Sequence, residues 1–224
     1  MRSGVRSPTV DWVLFDLNGT LLDPSVIAGP VGAPASLGEE VLDEAVWQAA
    51  AGTLAGHYRP LPDYLRAALE RRVHLDGLEP RGVDQALEAA GAMPPYPDAA
   101  DALRLLRDSG LRIGVLTNSA GKSAQAALKA AGLRELVEMV VGSDEVQAFK
   151  PDPRVYAKGA ARVAAAPGEV LLVAAHWWDV MGAKRAGMRT GWVGRRERVL
   201  LSSVPEPDFS GEDLASVAAA IVAA

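Results

Sequence analysis

Asp16 ends an apolar run, Val13-Leu14-Phe15, and Gly19 and Thr20 then turn the chain. A carboxylate at the carboxyl end of a buried strand stands where open α/β sheets bind their ligands. Three more polar groups follow apolar runs: Thr117-Asn118-Ser119, Lys150 in FKPDPRVY, and His176-Trp177-Trp178-Asp179. Carboxylates, an ammonium, hydroxyls, an amide and an imidazole can bind a polar ligand and move charge on it. Singly, each has an ordinary structural role. Asp16 can cap a turn or helix, Lys150 can sit in solvent, Thr117-Asn118-Ser119 can cap a helix, and the tryptophans can be core. On the stretch around Asp16 alone both readings stay open.

The elements that carry these residues favour a common site. Residues 10–15 read as a buried strand. From residue 97 onward strands alternate with helices: strands over 111–116, 139–141, 170–174 and 190–193, and helices over 98–109, 123–131, 153–166, 180–186 and 213–222. Strands separated by helices imply parallel βαβ units with right-handed crossovers. The four polar groups then fall on one edge of a parallel sheet, whatever the strand order. Between the first strand and the rest, residues 24–38 carry Pro24, Gly29, Pro30, Gly32, Pro34 and Gly38, which punctuate a loop or broken turns. Helical spacing follows over 39–57, 64–73 and 83–90, with Pro60 and Pro62 as breaks and 93–97 (MPPYP) as a rigid connector. Residues 24–96 are therefore expected to be an all-helical insertion, and residues 1–23 and 97–224 the core domain.

Composition excludes several classes. At 224 residues and 49% hydrophobic, the chain can bury a substantial core. A formal net charge of −5 argues against nucleic acid or an anionic membrane surface as partner. The absence of cysteine excludes disulfides, thiolate metal sites and cysteine nucleophiles, and is compatible with the expected cytoplasmic location. No apolar stretch approaches a membrane span. Residues 1–8 carry Arg2 and Arg6 but no apolar signal core, so we expect a frayed tail and no secretion signal.

The motifs DxNGTLLD, LTNS, KPDPRVY and WDVMGAKRAGMRTGWV, in that order, resemble the haloacid dehalogenase superfamily of aspartate-nucleophile hydrolases. The resemblance covers the whole core and the position of the insertion. It implies an α/β fold, a doubly wound Rossmann-like parallel sheet with an inserted helical cap closing over the strand ends. It also implies that Asp16 is the nucleophile. Phosphatases of this superfamily carry a second Asp two residues later to protonate the leaving alkoxide, and here that residue is Asn18, which cannot deliver a proton as a carboxylic acid can. They hold Mg²⁺ with further acidic residues after the fourth strand. Here Ala174 and Ala175 precede His176 and only Asp179 remains, whereas a hard divalent cation takes several oxygen ligands.

A halide leaving group needs neither proton nor metal, and the pattern is similar to the type II 2-haloacid dehalogenases. Their implied chemistry is displacement at the substrate α-carbon by Asp16, then hydrolysis of the aspartyl ester by water activated near Asp179. A Lys150 ammonium would keep Asp16 ionised. Thr20 would bond the nucleophile loop, and Thr117 with nearby N–H groups would hold the substrate carboxylate. Asn18 is a further substrate-side residue. Asn118 and the edge of Trp178 would meet the departing halide, Tyr156 matches the tyrosine near the lysine, and Asp179 would hold Lys150 or water. His176 is expected to act as a base, orient water or bind a substrate anion, or else to be a stacked, backbone-bonded core histidine.

Three departures stand out. The first cap helix offers AVWQAAAG, with Gln48 where an arginine usually helps bind halide and carboxylate; Arg59 or Arg66 would have to substitute. Asn18 stands where an aromatic residue is common. Ala174 and His176 replace a Ser-x-Asn pattern. The expected partner is a small anionic molecule, without a cofactor, and the resemblance implies a homodimer. The alternatives are a Mg²⁺-dependent phosphatase of unusual activity or a non-catalytic binding protein on the same scaffold.

Overall fold

The computed structural model describes residues 10–224, so the expectation for residues 1–8 lies outside it. Six strands, β1 (Trp12–Phe15), β2 (Arg112–Thr117), β3 (Met139–Gly142), β4 (Val170–Ala174), β5 (Arg189–Val193) and β6 (Phe209–Gly211), form one parallel sheet in the order β3-β2-β1-β4-β5-β6. β1 is apolar on both faces because both are covered. Val13 and Phe15 pack in one cluster, with α4 (Ala99–Asp108), α5 (Gly121–Ala130) and α8 (Leu214–Val222). Trp12 and Leu14 pack in the opposite one, with α6 (Pro153–Arg162) and α7 (Trp177–Arg185). This is a doubly wound α/β sheet. The chain runs outward from β1 through β2 to β3, then from β4 through β5 to β6, so the strand order reverses beside β1 and β4. Such a reversal leaves a crevice at the carboxyl ends of the strands.

Between β1 and β2 the chain also carries α1 (Ser36–Leu54), α2 (Leu61–Asp76) and α3 (Val83–Gly91), preceded by two short 3-10 turns at Pro24–Ile27 and Gly29–Val31. The outgoing and returning chains run side by side. Asp23 N–H donates to Pro94 O at 2.8 Å and Tyr96 N–H to Leu21 O at 2.9 Å, and Leu22 bridges Pro95 antiparallel. No described helix is long and apolar enough to cross a membrane.

Several boundaries differ from the expectations. α2 starts at Leu61 with Pro62 inside its first turn, where a proline's missing N–H is no loss. α1 begins at Ser36 and stops at Leu54, short of residue 57, ahead of Gly56 at φ +71°. α6 stops at Arg162 rather than 166, where Ala164 turns left-handed at φ +53°. α7 starts at Trp177, not Val180, so both tryptophans and Asp179 lie in its first turn. β6 was not expected; three residues are too few for a period-2 pattern.

Candidate active site

The site is built where β1, β2 and β4 end. Asp16 follows β1, with its backbone N–H donating to Val173 O of β4 at 3.0 Å. Its side chain is 5% exposed. Oδ1 accepts from Lys150 Nζ at 2.8 Å, and Oδ2 from Thr20 Oγ1 at 2.9 Å. Thr20 Oγ1 in turn accepts the N–H of Ala175 at 3.0 Å, which ties the nucleophile turn to the end of β4.

Lys150 reaches in from the segment between β3 and α6 and is completely buried. Its three N–H donors are all used, on Asp16 Oδ1, on Leu116 O at 2.9 Å and on Asp179 Oδ2 at 2.6 Å. The other Asp179 oxygen accepts the Tyr156 hydroxyl at 2.7 Å. Buried charges persist only when paired and hydrogen-bonded. One ammonium here serves two carboxylates.

The electrostatics follow from that sharing. Burial alone would raise the Asp16 pKa, but Lys150, with His176 beside it, holds the carboxyl well below its ordinary value. For Lys150, burial opposes charge and the two carboxylates override it, so its pKa is raised. Burial dominates at Asp179 and at the Tyr156 phenol, and pushes both up.

Asp16, Asn18, Thr117, Asn118, His176 and Trp178 line a cavity closed from above by Leu42 and Val46 of α1 and Leu61 of α2. Its volume is about 10 Å³, room for one water. Thr20, Lys150, Asp179 and Tyr156 lie behind this wall. Tyr156 therefore does not face the space expected for substrate. It holds Asp179, with its ring filling the space that the absent side chain of Gly182 leaves. Asn118 lines the cavity and also anchors the lysine segment: its Oδ1 accepts the Lys150 backbone N–H at 2.7 Å and its Nδ2 faces Lys150 O at 3.4 Å. Asn18 Nδ2 donates to Ser119 Oγ at 3.1 Å. Thr117 Oγ1 accepts the N–H of Ser119 at 3.1 Å.

His176 is buried and stacks on Trp178 with centroids 4.9 Å apart. Its Nδ1 lies 3.2 Å from Asp16 Oδ2 without aligned hydrogen-bond geometry. Its ring edge crosses Gly19, where a Cβ would come within 2.9 Å of it and where φ is +83°. Trp177 packs outward against Trp47 of α1.

No arginine lines this cavity. Arg59 donates to His57 at the surface, Arg66 pairs with Glu70 and Asp84, and Gln48 turns to Glu44. Leu42, Val46 and Leu61 were not expected at the site, since a lining leucine has the same spacing as a core leucine. Among the described residues no group of three or more His, Asp or Glu side chains could hold a metal ion. The two site carboxylates are bridged by the Lys150 ammonium, a donor set that does not fit a divalent cation.

The family model described as haloacid dehalogenase-like hydrolase matches residues 10–187. (S)-2-haloacid dehalogenase 4A of Burkholderia cepacia is 31% identical over 206 residues, 88% of this chain and 86% of the relative. An (S)-2-haloacid dehalogenase of Xanthobacter autotrophicus is 33% identical over 201 residues, 85% of this chain and 77% of the relative. The solved structure of the L-2-haloacid dehalogenase from Xanthobacter autotrophicus with chloropropionic acid covalently bound has a TM-score of 0.85 at 25% identity, covering 95% of this chain and 98% of that one. A fold wound this way, a buried carboxylate at its switch point and these relatives along most of the sequence have one reading: the chain is a hydrolase and belongs to the haloacid dehalogenase-like hydrolase family.

Proposed function

We propose that the protein hydrolyses the carbon–halogen bond of a small 2-haloacid, without a metal, through an ester on Asp16. The observation that carries the reading is the state of Asp16. It is an ionised carboxylate at the floor of a small cavity, backed by an ammonium, with Asn18 rather than a proton donor two residues on. A carboxylate oxygen attacks the α-carbon, the new C–O bond forms as the carbon–halogen bond breaks, and the electron pair leaves on the halide. Water then adds to Cγ of Asp16, and the 2-hydroxyacid departs as the ester C–O bond breaks. The relatives named as haloacid dehalogenases support this chemistry. The same reading makes residues 24–96 a cap, hinged where the chains run side by side at Leu21–Asp23 and Pro94–Tyr96, that opens to admit substrate and closes to exclude bulk water.

The test is halide release from chloro-, bromo- and fluoro-carboxylates, with EDTA or with added Mg²⁺, beside a generic phosphate ester. Halide release insensitive to EDTA is expected, and Asp16→Asn abolishes it while the fold persists. Mg²⁺-dependent phosphate release without halide would replace this reading with a phosphatase. An Asp16→Asn protein with full halide release would remove Asp16 as nucleophile.

A further inference from the structure

Hydrolysis of an Asp16 ester requires a group that takes a proton from water beside Cγ. Asp179 is fully buried with both oxygens occupied, one by Lys150 and one by Tyr156. Lys150 is charged and has no free donor or lone pair. Asn18, Thr117 and Asn118 offer amides and a hydroxyl, which are poor bases at neutral pH. Of the residues lining the cavity, His176 alone carries a nitrogen base.

Its placement suits the task. Nδ1 is buried, 3.2 Å from Asp16 Oδ2, and its direction misses that oxygen, so it makes no hydrogen bond there. The ring is held by Trp178 on one face and by the Gly19 turn at its edge. The residue is the N-cap of α7, and its carbonyl accepts the N–H groups of Asp179 at 3.1 Å and Val180 at 3.3 Å, which fixes its backbone. A buried nitrogen without a partner, beside the carbon that water must attack, is otherwise a cost to the fold.

We propose that His176 is the general base that activates water for hydrolysis of the Asp16 ester, an inference that rests on the function proposed above. Nδ1 takes one water proton as the O–Cγ bond forms. It returns that proton to the departing alkoxide oxygen as the ester C–O bond breaks. The second water proton leaves the new Asp16 carboxyl for solvent, because Asp16 is a stronger acid here than an ordinary carboxyl.

The charges around the ring time the step. In the resting protein burial favours neutral imidazole, but the Asp16 carboxylate overrides it, helped at longer range by Asp43 and Asp179, so the His176 pKa is raised. From α1, Glu39 and Asp43 face the ring, and both are paired with Arg196. Lys150 stands on the far side of Asp16. When Asp16 is alkylated its charge is gone, and the largest influence left on the ring is burial. Loss of that charge lowers the His176 pKa and so favours the free base at the step that needs one.

Rapid-quench turnover of 2-chloropropionate or 2-bromopropionate tests this with His176→Gln and His176→Phe; phenylalanine keeps the stacking on Trp178 and removes the nitrogen. In both variants we expect about one halide per protein in a first turnover, a protein mass increased by the propionate on Asp16, and steady-state turnover down by about 10²–10⁴-fold. In the wild-type protein, decay of the adduct rises with pH through one ionisation while the halide burst stays flat. That measurement needs no variant to fold. Wild-type turnover in either folded variant, loss of the burst together with turnover, or pH-independent decay in the wild type would each overturn the base. The second of these would make His176 a substrate-binding group. A wild-type protein that releases no halide at all fails the function reading instead, and the two failures are separable.

Discussion

At the scale of single residues, the site is an electrostatic balance around one ammonium. Lys150 has no solvent contact and joins Asp16 to Asp179. Removing one partner of a buried pair strands the other charges and costs about 3–5 kcal/mol. Lys150→Met keeps most of the stem and loses the charge. We expect it to abolish turnover and to lower the unfolding free energy measured by urea titration at neutral pH by that amount. The acid dependence changes too. Asp16 has a depressed pKa when folded, so its contribution to wild-type stability is complete above the unfolded carboxylate value of about 3.9 and is lost as pH falls through the folded value. Without Lys150 that depression goes, and stability in the variant falls less steeply with acid. A variant with unchanged stability and acid slope would show that the ammonium is not what balances the site.

At the scale of elements, α7 does the most positioning. Its first turn presents Trp178 to the cavity and Asp179 to Lys150, and its N-cap is His176. One turn on, Gly182 lets α6 approach: a Cβ there would lie 2.4 Å from the Tyr156 hydroxyl and 2.6 Å from its ring. Gly182→Ala forces Tyr156 off Asp179 or moves α7. Overpacking of this kind costs about 1–3 kcal/mol, and a chain this size loses about 2–4 °C in Tm per kcal/mol. We expect that loss in a thermal melt, with turnover down about tenfold or more through misplaced Asp179. An alanine variant with wild-type turnover would mean that the Tyr156–Asp179 bond has no part in activity.

At the scale of the whole molecule, the question is how substrate reaches a cavity with room for one water. The helices between β1 and β2 close on the sheet through several contacts. Leu42 and Val46 pack on Trp178, Phe149 inserts among Ala49, Leu61, Tyr58 and Tyr64, and Arg196 pairs with Glu39 and Asp43 of α1. A wider cleft of about 570 Å³ shares Asn18, Leu42 and Leu61 with that cavity, and we expect α1 and α2 to part from the strand ends for a 2-haloacid to reach Asp16. The chain has no cysteine of its own, so Asp43→Cys with Arg196→Cys gives one defined pair. Bridging it with a short cleavable cross-linker is expected to stop turnover, and cleaving the linker to restore it. Full activity while cross-linked would show that substrate enters without opening of these helices.

How much of this was legible beforehand follows from what each signal depends on. Covered parallel strands must be apolar and must end in turns, so β1 to β5, the helices between them and the shared edge carrying Asp16, Thr117, Lys150 and Asp179 were readable from local pattern. So was the absence of an acid at Asn18. β6 escaped because three residues make no period. The start of α7 escaped because two tryptophans and an Asp read as a loop end until they pack. Contacts between segments far apart in the chain are not written in either segment. That Lys150 spends all three donors, that Tyr156 stands behind Asp179 rather than facing substrate, that Arg66 pairs with Glu70 and Asp84 beside the adjoining cleft, and that His176 meets Asp16 with an unpartnered nitrogen are all such contacts. The sequence by itself determined which side chains stand at the strand ends. Only the tertiary structure decided which of them touch, because hydrogen bonds act over about 3 Å and only folding brings residues 134 positions apart, such as Asp16 and Lys150, to that distance.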